Sequence, residues 1–453
     1  MKKSLLAAAL ALSFSAHSFF AQDLIIPPGK DPRFNWASYD ALKSEHLQGK
    51  KITVFGPWTG DEKTKFENVI AYFEAATGAD VVYDGSDSFE QQIVIDTQGG
   101  SAPNVSIFPQ PGLAADLAAK GYLTPLSEKA KERVIKDYAA GKSWVKLATF
   151  KGPHHKDHFY GVFYRVDLKS LVWYSPDNFA DAGYQVPKTM EQLKALTKKI
   201  VADGGTPWCI GLGSGAATGW PATDWVEDLL LRMQPPSVYD GWITNKVKFN
   251  DPRIIAAIKE FGWFARNNKF VYGGTSAVGT TDFRDSPKGL FTSPPECYMV
   301  KQASFVTAFF PKDVKVGVDA DFFYFPPFAS KKDLGRPVEG AGTLATITNN
   351  SKGAHDFVNF LGSPIAQEIW MAQGGFLSAD LKANPAVYSN NTERREGKIL
   401  LDATTFRFDA SDMMPGRIGA GAFWTGMVNY VNGESAKNVA NDIQKTWDAL
   451  KKN

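Results

Sequence analysis

Short apolar runs alternate along the chain with segments in which apolar residues recur every three or four positions. This alternation predicts strands that alternate with helices. Lys51–Phe55, Ala79–Tyr83 and Val105–Phe108 have the short apolar runs of buried strands. Between the first two, Lys63–Thr77 repeats its apolar residues every three or four positions, which predicts a helix packed on one face. Strands that alternate with helices favour an α/β fold built on a mostly parallel, doubly wound sheet.

The N-terminus has the pattern of an export signal. A basic start is followed by an apolar run from Leu5 to Phe20, and the sequence turns polar at Gln22. The run is shorter than the ~20 residues that span a membrane, so it predicts a cleaved signal peptide over residues 1–21 rather than an uncleaved anchor. Because no cysteine lies near this junction to carry a lipid, we expect a soluble protein of the Gram-negative periplasm.

Length and charge narrow the class of protein and of partner. The chain has 453 residues and a formal net charge of +2, which falls to zero once Lys2 and Lys3 of the signal are removed. A neutral surface without a basic run attracts no polyanion, which argues against nucleic acid. The length exceeds one ordinary core and predicts two lobes. Since no Gly/Ser-rich linker separates them, we expect the chain to cross between the lobes more than once.

Cys209 and Cys297 are the only cysteines of the chain. In an oxidising compartment such a pair predicts one disulfide that joins two distant segments. Two buried free thiols are the alternative, because the sequence does not give the separation of the Cα atoms.

Several segments, in collinear order over nearly the whole mature chain, together point to one family. They are "FEQQIVIDTQGGSAPNVSIFPQPGLAADLAAKGYLTPL" from Phe89, "FYGVFYRVDLKSLVWYS" from Phe159, "GWPATDW" from Gly219 and "AFWTGMVNYVNGESAKNVANDIQKTW" from Ala422. The chain resembles the carbohydrate-binding subunits of ABC importers, the family of the maltose-binding protein. Asn104 stands where that family usually has Asp. The run "TSPPECYMVKQASF" from Thr292 and the paired cysteines are most similar to the periplasmic α-glucoside binders.

The resemblance implies a two-lobed periplasmic-binding-protein fold, in which each lobe is a doubly wound, mostly parallel sheet flanked by helices. We expect residues 22–164 plus 330–375 to form the first lobe and residues 165–329 plus 376–453 the second, with the C-terminal helices partly bridging them. The implied ligand is a small neutral sugar, from mono- to oligosaccharide, and first of all a disaccharide α-glucoside such as sucrose, maltose or trehalose. The implied partners are ABC permease subunits of the inner membrane. We expect a monomer without a cofactor and without enzymatic activity.

Candidate ligand contacts lie in the loops that follow the predicted strands, where open α/β sheets bind their ligands. Trp58 stands in a polar loop with no apolar stripe to join, and Gln110 is held between two prolines, so both are expected to face the ligand. Asp61 and Glu62 either bind a hydroxyl or interact with the helix dipole, and the family places a sugar-contacting carboxylate in this loop. Asp87 is either a ligand contact or a helix N-cap.

The resemblance adds further candidates. Arg165 lies in an apolar strand, where it is costly unless paired, and meets either a structural carboxylate or the ligand. Trp220 and Tyr298 match aromatic ligand-contact regions of the family, with a place in the core as the alternative for each. Trp424 corresponds to the family's "AFW" tryptophan, which stacks on sugar.

Two other local signals concern glycines and histidines. Gly340 and Gly342 precede an apolar strand and indicate close approach of the backbone to a ligand or a hinge. Three histidines lie within His154–His158, but Gly152-Pro153 before them and the strand after them predict a solvated loop rather than a metal site.

The main alternative function is an exported glycoside hydrolase. Such an enzyme also surrounds a sugar with aromatic and acidic residues, and it needs two facing carboxylates, for example Asp61 with Asp224. The sequence contains no G-x-S-x-G, H-E-x-x-H or Walker motif.

Overall fold

The computed structural model describes residues 24–450, so the predicted signal peptide, residues 1–21, lies outside the described residues. The strands of the described part are β1 Lys51–Gly56, β2 Asp80–Gly85, β3 Val105–Phe108, β4 Thr149–Lys151, β5 Asp157–Phe159, β6 Gly161–Leu168, β7 Leu171–Tyr174, β8 Val300–Lys301, β9 Asp321–Tyr324, β10 Pro337–Ile347 and β11 Thr405–Phe408.

The α-helices of the same part alternate with these strands in the first third of the chain and dominate the remainder. They are α1 Trp36–Asp40, α2 Gly60–Thr77, α3 Phe89–Gly99, α4 Pro111–Ala119, α5 Glu128–Asp137, α6 Gly141–Leu147, α7 Pro176–Ala182, α8 Met190–Ala202, α9 Trp220–Met233, α10 Pro236–Ile243, α11 Pro252–Ala265, α12 Thr275–Val278, α13 Lys352–Leu361, α14 Pro364–Met371, α15 Asn391–Asp402, α16 Ala410–Met413, α17 Trp424–Val431 and α18 Ala436–Leu450.

A six-stranded mixed sheet organises the first core. Its order is β11–β10–β3–β1–β2, and β6 also pairs with β10. β1 is parallel to β2 and β3, whereas β10 is parallel to β11 and antiparallel to β3 and β6. The C-terminal ends of β1, β2 and β3 therefore meet at one edge of the sheet, and the loops that follow them converge there.

The second sheet differs from the mostly parallel sheet that was expected in each lobe. Its order is β8–β7–β9, and both pairs are antiparallel. Trp208 adds single-residue parallel bridges to Val271 and Met299. The difference arises because the chain returns from the helices in two short strands that flank β7 and run against it.

Buried apolar side chains of residues 24–450 form two clusters, in agreement with two lobes. The first surrounds the six-stranded sheet, and the second packs α8, α9, α11, α17 and α18 against one another. Burial of these side chains is the main term that stabilises each lobe. The predicted disulfide is confirmed, since Cys209 and Cys297 are bonded with their Cα atoms 5.6 Å apart.

Two long strands connect the cores and position the residues between them. β6 is buried along its length and leads through Lys169-Ser170 into β7 of the second sheet. β10 is also fully buried, pairing with β11 at its start and with β3 at its end. β6 and β10 pair over residues 161–168 and 340–346, so backbone hydrogen bonds between the two strands fix the positions from which their side chains project at the junction.

Two remaining features concern the surface of the described part. His154 and His155 lie in the turn between β4 and β5, which confirms the predicted loop for these two, whereas His158 lies in β5; all three residues are exposed. Within residues 24–450, no helix combines the length and the apolar content that crossing a membrane requires.

Candidate ligand-binding site

A cavity of about 130 Å³ lies between two walls at the junction of the cores. The sheet-side wall consists of the loops after β1, β2 and β3, the start of α3, and the strands β6 and β10. The helix-side wall consists of α9, α16, the start of α17 and the segment around Phe283 and Phe305. A concave site with aromatic walls and a few polar groups is typical of a small-molecule binding site.

The structure brings most of the predicted site residues together. The predicted residues that line the cavity are Trp58, Glu62, Asp87, Gln110, Arg165, Trp220 and Trp424. Gly342 lines it as well. Contact of these residues with a ligand stays a prediction, but their convergence from distant parts of the chain is a property of the fold.

Three predicted residues lie away from the cavity. Asp61 is exposed on α2 and pairs with Lys65 at 3.0 Å, because α2 begins at Gly60 and turns this side chain outward. The ring of Tyr298 packs edge-on against Tyr184, at 5.1 Å between centroids. Gly340 is paired between neighbouring strands, and a side chain there would approach the Phe406 ring, so its close backbone approach serves strand packing.

Trp58 lines the cavity and also belongs to the first core. Its ring is 1% exposed and packs at 4.8 Å from both Phe66 and Trp370. Its Nε1 has no hydrogen-bond partner among the described residues. The absence of an apolar stripe around Trp58 in the sequence was therefore misleading, because its neighbours come from α2 and α14 rather than from its own loop.

Trp424 lines the opposite wall without joining either core cluster of the described residues. It begins α17 directly after the π-helical segment Ile418–Phe423, and its buried Nε1 lacks a partner within residues 24–450. Gly219 brings the start of α9 beside it: φ is +120° there, and a side chain would stand 2.9 Å from the Trp424 Cα. This close approach, which only glycine permits, places Trp220 and Trp424 in one wall.

Arg165 is the centre of a buried charge cluster on the sheet side. Its guanidinium binds Glu62 at 2.5 Å and Asp167 at 3.1 Å, and it lies 5.3 Å from the centroid of the Trp58 ring. Burial raises the pKa of Glu62, and the charge of Arg165 opposes that rise. One of the two partners predicted for Arg165, a structural carboxylate, is thus present. Arg165 also lines the cavity.

Lys169 is the centre of a second buried cluster, on the helix side. Its ammonium binds Asp224 at 2.8 Å and Asp409 at 2.5 Å. Burial pushes the pKa of Asp409 upward, but Lys169 outweighs it and holds that pKa well below its usual range, whereas burial raises the pKa of Asp224 to about 7. Asp224, Glu339 and Asp409 place carboxylate oxygens within 4.8 Å of one another, an arrangement suited to a cation, and the protein's own ammonium serves two of them.

Asp87 and Arg284 form an ion pair across the cavity, at 2.5 Å. Asp87 follows β2 on the sheet side. The N-cap of α3 is the next residue, Ser88, so the interpretation of Asp87 as the N-cap is wrong. Arg284 lies beside Phe283 on the other side and also pairs with Asp282. The two walls are therefore joined at this point by charge as well as by the strands beneath them.

Four neutral polar atoms, all from residues that line the cavity, are buried and have no hydrogen-bond partner among residues 24–450. They are Trp58 Nε1, Gln110 Oε1, Thr343 Oγ1 and Trp424 Nε1. The other end of the Gln110 amide donates from Nε2 to Glu90 at 3.0 Å. A buried polar group without a partner costs free energy, so these atoms favour a ligand that offers both hydrogen-bond donors and acceptors.

Sequence reasoning missed several residues that line the cavity. They are Glu90, Asp167, Lys169, Arg284, Asp409 and Asp412, among others. A usable signal existed for two of them: Arg165, Asp167 and Lys169 follow at every second position in an otherwise apolar strand, which places their side chains on one face. Asp409 and Asp412 carry no such pattern, because only tertiary contacts bring them to Lys169.

Solved structures of similar shape confirm the predicted two-lobed α/β fold. The bacterial solute receptor AcbH has a TM-score of 0.75 and 18% sequence identity, over 88% of this chain and 99% of that chain. A chitin oligosaccharide binding protein has a TM-score of 0.74 and 17% identity, over 89% and 99%. At this level of identity the likeness concerns the fold alone.

Sequence comparisons define the family. The alpha-glucosides-binding periplasmic protein AglE of Rhizobium meliloti is 57% identical over the full length of both chains. The osmoprotective compounds-binding protein GgtB of Synechocystis sp. is 40% identical over 88% of this chain and 92% of its own. The family model described as bacterial extracellular solute-binding protein matches residues 56–368. These matches confirm the predicted resemblance and a binding rather than an enzymatic role: the chain belongs to the bacterial extracellular solute-binding protein family.

Proposed function

We propose that the protein binds a small α-glucoside between the two walls and delivers it to the permease subunits of an ABC transporter in the inner membrane. The mature chain acts in the periplasm, as a monomer, after removal of residues 1–21. Its ligand is a neutral sugar, and a disaccharide such as trehalose, maltose or sucrose is the leading candidate. The residues proposed to contact it are those of the predicted set that line the cavity.

The observation that carries this proposal is the pairing of aromatic walls with unpartnered neutral polar atoms. The rings of Trp58, Trp220 and Trp424 line the cavity, and rings of this kind pack against the C–H faces of a pyranose. The unpartnered atoms of Gln110 and Thr343 and the two indole N–H groups match hydroxyls, which donate and accept. A neutral polyol satisfies both features at once.

The absence of a free cation in the cavity supports a neutral rather than an anionic solute. Within the described residues, each basic side chain that lines it already binds two carboxylates. A phosphate or carboxylate group would have to displace one of these buried pairs, which is costly. The name of the relative that is 57% identical, an alpha-glucosides-binding protein, supports the choice of α-glucosides.

Closure around the sugar is the proposed signal to the permease. Ligand contacts drawn from both walls favour the form in which the walls approach, because only that form makes all of them. The Asp87–Arg284 pair, which joins the two walls, favours this form.

Isothermal titration with trehalose, maltose and sucrose tests the proposal, with the β-linked disaccharide cellobiose for comparison. We expect saturable binding of at least one α-glucoside, without release of glucose on long incubation. Thr343→Val, which removes one unpartnered hydroxyl and keeps the shape, should weaken binding about three- to tenfold. Thr64→Val, at an exposed position of α2, is the matched control. Failure of all three α-glucosides to bind at millimolar concentration would contradict the proposal.

A further inference from the structure

Carboxyl groups outnumber cations in the cavity. The basic residues that line it are Arg165, Lys169 and Arg284. The acidic residues that line it are Glu62, Asp87, Glu90, Asp167, Asp224, Asp409 and Asp412. A neutral sugar requires hydrogen-bond acceptors, but it does not require this surplus of negative charge.

Ion pairs separate these carboxyl groups into two classes. Five of the seven bind one of the three cations at 2.5–3.1 Å. Within residues 24–450, Glu90 and Asp412 form no ion pair, and the two residues are only 8% and 7% exposed. A buried carboxyl group without a cation is costly, and its usual explanation is a proton, a ligand or a functional role.

Glu90 and Asp412 belong to opposite walls of the cavity. Glu90 lies in the first turn of α3, where Gln110 Nε2 donates to its Oε1 at 3.0 Å. Asp412 lies on α16, where its backbone N–H donates to Asp409, and the residue lines the cavity. Burial raises the pKa of Asp412, the charge of Asp409 adds to that rise, and the charge of Glu90 on the other wall makes a smaller contribution in the same direction.

Burial favours the protonated form of both groups in the empty protein. Burial raises the pKa of Glu90 to about 7, and the pKa of Asp412 stands well above its usual range. A ligand that carries its own cationic donor replaces such protons with a charge-assisted hydrogen bond, which is stronger than a bond between neutral groups. An ammonium group has three donors and no acceptor, and therefore suits two facing carboxylates.

We infer that the site also binds α-glucosides in which one hydroxyl is replaced by a protonated amine, with the ammonium group between Glu90 and Asp412. Glycosides that carry a carboxylate at the same position bind more weakly, because each cation that lines the cavity within residues 24–450 already binds two carboxylates. The inference rests on the proposed function, since the sugar rings must first be held by the aromatic walls. It adds a charged class of ligand to the neutral one.

Matched trehalose derivatives test this inference. The probes are trehalose, its 2-, 4- and 6-amino-deoxy analogues, and the analogue with a carboxylate at carbon 6, each titrated calorimetrically at pH 7. We expect at least one amino analogue to bind about tenfold more tightly than trehalose, and the carboxylate to bind at least tenfold more weakly.

Two isosteric variants locate the effect. In Glu90→Gln and in Asp412→Asn, the advantage of the amino analogue over trehalose should fall to threefold or less. Glu128→Gln, an exposed change in the first turn of α5, should leave the advantage intact. Melting temperatures of the empty variants, measured beside the titrations, show which variants are folded, and either of the two is sufficient for the test.

The outcomes separate the two proposals. Binding of neutral α-glucosides without a gain for any amino analogue would overturn the inference and leave the proposed function standing. A gain that persists in both Glu90→Gln and Asp412→Asn would overturn the assigned position of the ammonium group. Failure of the whole trehalose series, together with the other α-glucosides, would contradict the proposed function itself.

Discussion

Trp58 and Trp424 line the same cavity from opposite walls, but they are held in different ways. Trp58 packs against four other aromatic rings and is part of the first core cluster. Trp424 is just as inaccessible, at 3% exposed, yet it belongs to neither core cluster of the described residues. Burial alone therefore does not distinguish a cavity-lining ring that also supports a core from one that does not; the neighbours of the ring do.

The same contrast extends to the walls. The sheet-side wall stands on strands whose hydrogen bonds and apolar neighbours fix it in place. The helix-side wall belongs to helices of the second core, and Lys169 links α9 to the segment before α16 through Asp224 and Asp409. We expect changes on the two walls to affect stability and binding in different proportions.

Lys169→Met should have the largest effect on stability. The substitution leaves Asp224 and Asp409 buried without their cation, which costs about 3–5 kcal/mol of the free energy of unfolding. Urea unfolding of the empty protein measures this loss. Lys199→Met removes a lysine from an exposed pair with Asp203 and should cost less than about 1 kcal/mol. Equal effects of the two changes would show that Lys169 does not hold the helix-side wall together.

Trp58→Ala should cost a similar amount, because it opens a cavity in the first core. Loss of a fully buried tryptophan destabilises by about 3–5 kcal/mol. Trp263→Ala, at a half-buried position of α11, should cost clearly less. Thermal or urea unfolding of the empty variants distinguishes these results. If the Trp58→Ala protein unfolded like the wild type, the ring would not be part of the core, and the contrast with Trp424 would fail.

Glu90→Gln should flatten part of the pH dependence of stability. Because the pKa of Glu90 is raised to about 7 in the folded protein, the folded state binds more protons than the unfolded state between pH 4.5 and 7. The contribution of Glu90 to the free energy of unfolding is therefore present at low pH and is lost as the pH rises through this window. The expected loss is on the order of 2–3 kcal/mol. Buried Asp224, Glu368 and Glu393 add in the same direction.

The difference between wild type and Glu90→Gln isolates this contribution. Urea unfolding at pH 4.5 and at pH 7 gives the change in the free energy of unfolding over this range for each of the two proteins. A wild-type protein and a variant that lose equal stability over this range would show that Glu90 titrates normally and is not desolvated in the cavity.

The sheet-side wall could be predicted from local sequence to a large extent. β3 has the predicted bounds, β1 and β2 differ from theirs by one or two residues, and Gln110 and Trp58 lie in the expected strand-end loops. Periodicity and turn residues are local properties, so the sequence contains this information. Asp61 was wrongly placed in the site because α2 begins three residues earlier than predicted. The first residue of the helix determines the direction of each side chain in its first turn.

The helix-side wall could not be predicted in the same way. Trp220 and Trp424 were proposed from the family resemblance, and the residue that brings them together is Gly219, whose left-handed backbone acts on a segment about two hundred residues away. Asp409 and Asp412 follow a short edge strand without any periodic signal. Their role depends on Lys169 and on the cavity, which exist only in the folded chain.

The most direct test of the central claim, that Trp424 is a ligand-facing ring rather than a core ring, measures sugar affinity and the melting temperature of the empty protein on one preparation of Trp424→Ala. We predict a melting temperature close to that of the wild type and an affinity for the best α-glucoside lowered by about 1–3 kcal/mol, tenfold or more, because one aromatic face is lost. A variant that melts much earlier, yet binds the sugar normally when folded, would contradict the claim and assign Trp424 to the core.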